Sequence, residues 1–242
     1  MPLSQSTDLW LMPRAAMPEA GSGDGPSAMD MRVIADVIPL DHQPAVLPRQ
    51  SVPPALMDAL FGPQPQPDAS PDGTADPAAP GTYAVLDAAK IANLPEELEN
   101  GGLPHLCLFR GAAQQEWGHV APWLVALTPE ARLTRRLFTD KPYFGLWPAA
   151  AAMFVRSDLG LDALWRHFRR FTRIRDGQQR WLFFRFWEAQ SLVMLHESAH
   201  LPGAKRFFAP CLSVLAPVPD RAQCILFTRQ PPALPWPMAE AV

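Results

Sequence analysis

Residues 166–187, RHFRRFTRIRDGQQRWLFFRFW, place seven arginines among aromatic and aliphatic side chains and change period partway, which restricts the folds open to this chain more than any other stretch. Leu161, Leu164, Trp165, Phe168 and Phe171 recur at helical spacing, whereas Trp181, Phe183, Arg185 and Trp187 alternate with Leu182, Phe184 and Phe186. A helix over about 160–171 therefore runs into a β-hairpin, with Thr172 to Arg175 folding back onto Arg180 to Trp187. Asp176-Gly177 supplies the turn, because glycine reaches positive φ without steric cost. The even-numbered residues of the second strand are all apolar and are expected to be buried. On the odd face Arg185 stands between aromatic residues, where its guanidinium either stacks on a ring or pairs with a carboxylate.

Several segments elsewhere read as short elements. Met31 to Ile38 has the β-branched content of an edge strand, and residues 52–61 read as a helix with proline in the first turn and Gly62 after its end. Tyr83 to Asp87, Leu106 to Phe109 and Trp123 to Leu127 read as buried strands. A helix follows over about Gln190 to His200, stopped by Pro202-Gly203, and then short strands at Leu212 to Val214 and Cys224 to Phe227. The expected fold class is α/β, a mixed sheet flanked by helices, with the helix and β-hairpin unit in the C-terminal half and a largely disordered N-terminal arm.

The disordered part follows from composition. The first 80 residues hold 15 of the 29 prolines and ten acids against three arginines, so they are net −7 while the remainder is net +4. Such a segment cannot bury enough apolar surface over most of its length to offset chain entropy. The expected organisation is a Pro-rich acidic arm over 1–50, a folded domain over 51–229 with a Pro-rich linker at 63–80 inserted, and a disordered tail over 230–242. No charged N-terminal region precedes a long apolar run, which points to a cytoplasmic protein with no membrane partner. Cys107, Cys211 and Cys224 lie in segments that read as buried strands and lack zinc-site spacing, so reduced core thiols are expected.

Five short blocks occur in a fixed order: YAVLDAA at 83–89, CLFRG at 107–111, HFRRF at 167–171, LFFRF at 182–186 and FFAP at 207–210. In that order they resemble the type VI secretion effector chaperone/adaptor family, over roughly residues 51–228. Glu188-Ala189 stands where that family has Asp-Pro, Ala209 where it has glycine, and Phe168 where it has leucine. The resemblance implies a non-catalytic protein without cofactor. Its partners would be an effector toxin protein and a spike protein, a VgrG or PAAR protein, onto which the effector is loaded. The candidate partner-binding residues are Arg166, Arg169, Arg170, Arg173, Arg185 and Trp187: exposed aromatic surface would cover an apolar effector segment while arginines steer its acidic parts.

Two other readings compete. His196, Glu197 and His200 fit H-E-x-x-H, the pattern of a zinc metallopeptidase in which two histidines on one helix face hold the metal and the glutamate is general base. The position that the extended motif reserves for a third histidine is Arg206, a cation that would repel zinc. The arginine and aromatic cluster could also meet nucleic acid through phosphate neutralisation and base stacking, but the chain as a whole is net −3 with three lysines, and nucleic acid is not expected as a partner. His167 reads as a packing residue, and Asp87 as a helix cap or a carboxylate that anchors a loop. Trp117, Trp123, Trp147 and Trp165 read as core or as aromatic contact area.

Overall fold

The computed structural model describes residues 29–44, 50–63, 80–175 and 178–229. Its elements in chain order are β1 (Met29–Ile34), α1 (Pro54–Phe61), β2 (Gly81–Asp87), α2 (Leu94–Gly101), β3 (His105–Cys107), α3 (Ala112–Trp117), β4 (Pro122–Leu127), α4 (Arg132–Leu137), β5 (Ala152–Ser157), α5 (Leu161–Phe168), β6 (Arg173–Arg175), β7 (Trp181–Phe183), α6 (Ala189–Glu197), α7 (Pro202–Phe208), β8 (Ser213–Val218) and β9 (Gln223–Arg229). Seven strands form one sheet in the order β1-β9-β8-β5-β2-β4-β3, and β6 and β7 form a separate hairpin. Residues 64–79 of the inserted linker, the tail, residues 1–28 and 45–49 of the arm, and the turn at Asp176-Gly177 lie outside the described residues.

The expected α/β class holds, with one correction: the main sheet is antiparallel at every pairing, not mixed. The helical crossovers that suggested parallel neighbours do join strands of like direction. β4 and β5, joined through α4, both run opposite to β2, which lies between them. β2 and β3, joined through α2, are likewise separated by β4. A crossover of this kind spans two strand positions, so the sequence reads as βαβ while each adjacent pair is antiparallel.

Each face of this sheet carries its own core. Alternation in β2 sends Ala84 and Leu86 to one face, where they pack with Leu56 and Leu60 of α1, Leu94 and Leu98 of α2, and Leu133 and Leu137 of α4. Tyr83 and Val85 go to the other face, against Leu164 and Phe168 of α5, Leu192 and Leu195 of α6, and Phe207 and Phe208 of α7. Central strands buried on both sides lose the apolar-polar alternation that marks a half-exposed strand. β5 goes unmarked in the sequence because its first residues continue the apolar run that begins at Leu146, and nothing between Ala149 and Ala152 marks where the strand starts.

α1 is tied to the sheet by two side chains that face each other across β2 and β5. The Thr82 hydroxyl donates to the Leu60 carbonyl, and Arg156 Nη1 donates to the Gly62 carbonyl at 3.0 Å. Both satisfy acceptors at the C-terminal end of a helix, where backbone partners run out. Burial lowers the Arg156 pKa, and nearby Asp158 opposes that shift.

Further expectations need local correction. Pro202-Gly203 does not simply stop the preceding helix: Pro202 opens α7, a role suited to a residue with fixed φ and no N–H to lose. The second hairpin strand ends at Phe183 instead of Trp187: one further ladder bond, from the Phe184 N–H to the Thr172 carbonyl at 2.9 Å, follows it, and Phe184 and Phe186 then turn into the core. Leu182, expected to be buried, is 38% exposed, whereas Phe184 and Phe186 are buried as expected. A two-stranded hairpin has no layer of its own to cover both faces. Cys107, Cys211 and Cys224 are free and buried, with burial pushing the thiols of Cys211 and Cys224 up to about 12. Among the described residues no helix is long and apolar enough to cross a membrane.

Candidate functional site: a rooted hairpin with an exposed tip

The site begins at the end of β2, where Asp87 is almost wholly buried at 1% exposure. Its Oδ1 accepts the Ala89 N–H at 3.1 Å, and its Oδ2 accepts the Trp187 indole N–H at 3.2 Å and an N–H of Arg185. Glu188 lies 3.3 Å from Arg185 Nε and 3.8 Å from Lys90 Nζ, and the Arg185 guanidinium also stands 5.9 Å over the Trp187 ring. The sequence alternatives for Arg185, ring or carboxylate, are therefore both realised. Asp87 is the loop-anchoring carboxylate expected of it, and it joins the YAVLDAA and LFFRF blocks across 98 residues.

Around this junction both legs of the hairpin enter the core. Phe168 and Phe186 stack at 5.4 Å, and Phe207 lies within ring contact of Phe168, Phe171 and Phe186. The Thr172 hydroxyl donates to the Arg169 carbonyl at 3.0 Å, closing the turn from α5 into β6. The base is thus fixed by aromatic packing and by an ion pair whose carboxylate is buried.

The tip is different. Trp181, Leu182 and Phe183 are consecutive and 59%, 38% and 49% exposed. The Arg175 guanidinium stands 4.6 Å over the Trp181 ring, and Phe183 meets Phe109 edge-on at 5.5 Å. Apolar side chains on neighbouring positions of one exposed strand, rimmed by arginine, form the kind of surface that a protein partner covers.

The six candidate residues divide into three groups. Arg185 and Trp187 root the hairpin, and Trp187 is only 2% exposed. Arg169 lies 4.4 Å over the Trp165 ring and donates to the Leu108 carbonyl at 3.3 Å, which pins it to the loop after β3. Arg166, Arg170 and Arg173 are exposed and make no ion pair with a described residue. Sequence reasoning missed Phe109 and Arg175. The available signal was the run Trp181 to Phe183, since alternation cannot bury three consecutive large side chains in a hairpin.

The H-E-x-x-H residues are not arranged as a zincin helix. α6 ends at Glu197, with Ser198 to His200 in turn conformation, so His196 and His200 do not share a helical face. His196 Nε2 is bonded to the Met29 carbonyl at 2.8 Å and its ring packs 5.5 Å from Phe227, while His200 is exposed. Among the described residues no group of three His, Cys, Asp or Glu side chains is placed to hold a metal ion. Of the tryptophans, Trp123 and Trp147 are buried, Trp165 is half-buried and Trp117 is half exposed.

His167 is the packing residue expected of it. Its Nε2 lies 2.9 Å from the Phe207 carbonyl, and its ring contacts Phe168 and Phe171. Burial lowers its pKa, the bond to Phe207 opposes the shift, and Arg170 and Arg206 add to it. With the folded pKa below the unfolded value of about 6.5, the unfolded chain binds more protons as pH falls through that range. Stability should therefore decline from pH 7 toward pH 5. Urea unfolding at the two pH values should show the decline in wild type and a smaller one in His167→Gln; identical slopes would exclude His167 as the cause.

The fold and site define a helix-flanked antiparallel α/β protein that presents an aromatic and arginine hairpin from a rigid base. The domain of unknown function DUF4123 matches residues 82–204, half of the chain, and the protein belongs to that family. The matched span runs from β2 through the start of α7 and so contains both Asp87 and Arg185. No curated protein and no solved structure matches.

Proposed function

We propose that this protein is a non-catalytic adaptor that binds a cognate type VI secretion effector and loads it onto the spike, a VgrG or PAAR protein, with the hairpin tip as the effector-docking face. The observation that carries the reading is the exposed run Trp181 to Phe183 on a base held by Asp87 and Arg185. A surface loop with a loose base would lose conformational entropy on binding, whereas the legs of this hairpin are held at their base by Asp87 and by the packed Phe168 and Phe186. Membership of the DUF4123 family supports the reading, because that domain is known in type VI secretion effector adaptors, as does the order of the five sequence blocks. Arg166, Arg170 and Arg173 supply the positive field that draws an acidic, partly apolar effector segment to the tip.

The test is affinity capture of the tagged protein from its native host, with mass spectrometry of what elutes. A toxin or spike protein should co-elute. Replacing Arg166, Arg170 and Arg173 with glutamate should abolish effector capture and leave the thermal unfolding midpoint unchanged. Undiminished capture by the folded variant would remove the steering role, and a wild-type protein that elutes alone would count against the adaptor reading itself.

A further inference from the structure

The loop between α4 and β5 holds one residue in a conformation that its side chain disfavours. Tyr143 has a φ of 62°, and of the six non-glycine residues with positive φ among the described residues it is the only aromatic one. A bulky side chain in the left-handed region costs free energy that glycine would avoid, so the turn itself gives no reason for a tyrosine. Packing gives none either. Tyr143 is fully exposed and has no hydrogen bond or ring contact with a described residue.

The backbone on both sides of it is pinned. The Phe144 and Gly145 N–H groups bond the Lys141 carbonyl at 3.1 and 2.7 Å, and the Trp147 N–H bonds the Thr139 carbonyl at 3.0 Å. Arg136 of α4 reaches into the loop: its Nε donates to the Phe144 carbonyl at 2.8 Å, its Nη1 donates to Glu97 of α2, and its own carbonyl accepts the Leu146 N–H at 2.9 Å. A Cβ on Gly145 would stand 2.1 Å from the Thr139 carbonyl oxygen, so the chain can close there only as glycine. A tyrosine on so fixed a backbone loses little beyond its two side-chain rotations when a partner covers it.

Beside Tyr143, Lys141 and Arg132 are exposed and make no ion pair with a described residue; Arg132 lies 5.7 Å from the Phe144 ring. The acids in this cluster are engaged: Glu97 with Arg136, Asp140 with His42 at 3.5 Å, and Asp41 with the Asp140 N–H at 2.8 Å. The flanking residues Phe138, Leu146 and Trp147 pack on the face of the sheet that holds Ala84 and Leu86, whereas Phe184, Phe186 and Trp187 of the hairpin base pack on the face that holds Tyr83 and Val85. The tyrosine loop and the hairpin are therefore rooted in opposite layers.

Building on the adaptor reading, we propose that Tyr143 anchors a second docking face, the one that holds the spike protein. The tyrosine seats in an apolar pocket of that partner, with carboxylates at the pocket rim facing Lys141 and Arg132. An adaptor holds two proteins at once, and a projection rooted in the opposite layer leaves the hairpin tip free for the effector. The strained φ is kept because glycine, which suits the turn, has no side chain with which to make the contact.

The test titrates the purified VgrG or PAAR protein, and separately the effector, both as identified by native capture, onto the immobilised full-length protein. Tyr143→Gly should weaken spike binding by about tenfold or more and leave effector binding unchanged. It should unfold at no lower a temperature than wild type, because glycine takes a positive φ without strain. Trp181→Ala should do the reverse, losing the effector and keeping the spike. A folded Tyr143→Gly protein that binds the spike as wild type does overturns the proposal and leaves the adaptor reading standing. So does one that loses the effector instead, because the loop would then belong to the effector face. A wild-type protein that binds the effector but not the spike overturns the proposal together with the loading step, and one that binds neither overturns the adaptor reading as well.

Discussion

Asp87→Ala is expected to lower the free energy of unfolding by about 3 kcal/mol, the lower end of the cost of breaking a buried ion pair, because Arg185 retains some contact with water. The carboxylate is buried and holds three groups at once: the Ala89 N–H, the Trp187 indole and the Arg185 guanidinium. Its removal leaves a half-exposed cation and a buried indole N–H without this acceptor. Denaturant unfolding of Asp87→Ala, Arg185→Met and the double variant measures the coupling. The double variant should lose less than the sum of the two singles, since replacing both partners removes the orphaned charge. Additive losses would mean that the two side chains do not act as a pair. Because the junction roots the hairpin, Asp87→Ala should also impair effector capture under conditions in which the chain is still folded. This is a loss through position and not through contact.

Phe207→Ala should cost about 3–5 kcal/mol, the range for deleting a large aromatic side chain from a packed core. Phe207 is fully buried and makes ring contacts at 5.7 Å with Phe168, 5.2 Å with Phe171, 5.3 Å with Phe186 and 5.0 Å with Phe208. It is the point at which α5, the hairpin exit and α7 meet. Neighbours held from three elements cannot all collapse into the space left behind, which puts the expected cost well above that of a lone surface-proximal phenylalanine. Phe207→Leu, which retains part of the volume, should lose markedly less. Urea denaturation of the two variants decides the matter: a loss below about 1 kcal/mol for alanine would show that the cluster repacks freely.

Much of the molecule could be read before its structure was known, where a segment carries its own period or punctuation. The helix before the hairpin, the proline-started helix at Pro54–Phe61, the edge strand near Met31 and the strand ending at Asp87 all appear close to where they were expected. Local signals failed where an apolar run hid the start of a strand or where a stop residue had a second use. β5 continues the apolar run that begins at Leu146, and Pro202, expected to end the helix before it, opens α7 instead. The arginine cluster was visible as a cluster, yet its members serve different ends: Arg185 is paired with Asp87, Arg169 is bound to the loop after β3, and Arg166, Arg170 and Arg173 face solvent.

The H-E-x-x-H segment shows the same limit from the other side. Spacing alone places His196 and His200 on one helical face, but α6 stops between them and His196 is bonded to the Met29 carbonyl, 167 residues away. The sequence by itself determined the elements that carry their own period or punctuation, and the change of period between helix and hairpin. Tertiary structure alone decided the strand order of the main sheet, the antiparallel sense of its pairings, and which charged side chains are held and which are offered. The physical reason is that side-chain period records whether a position is buried, while the partner that buries it is chosen by packing between segments far apart in the chain.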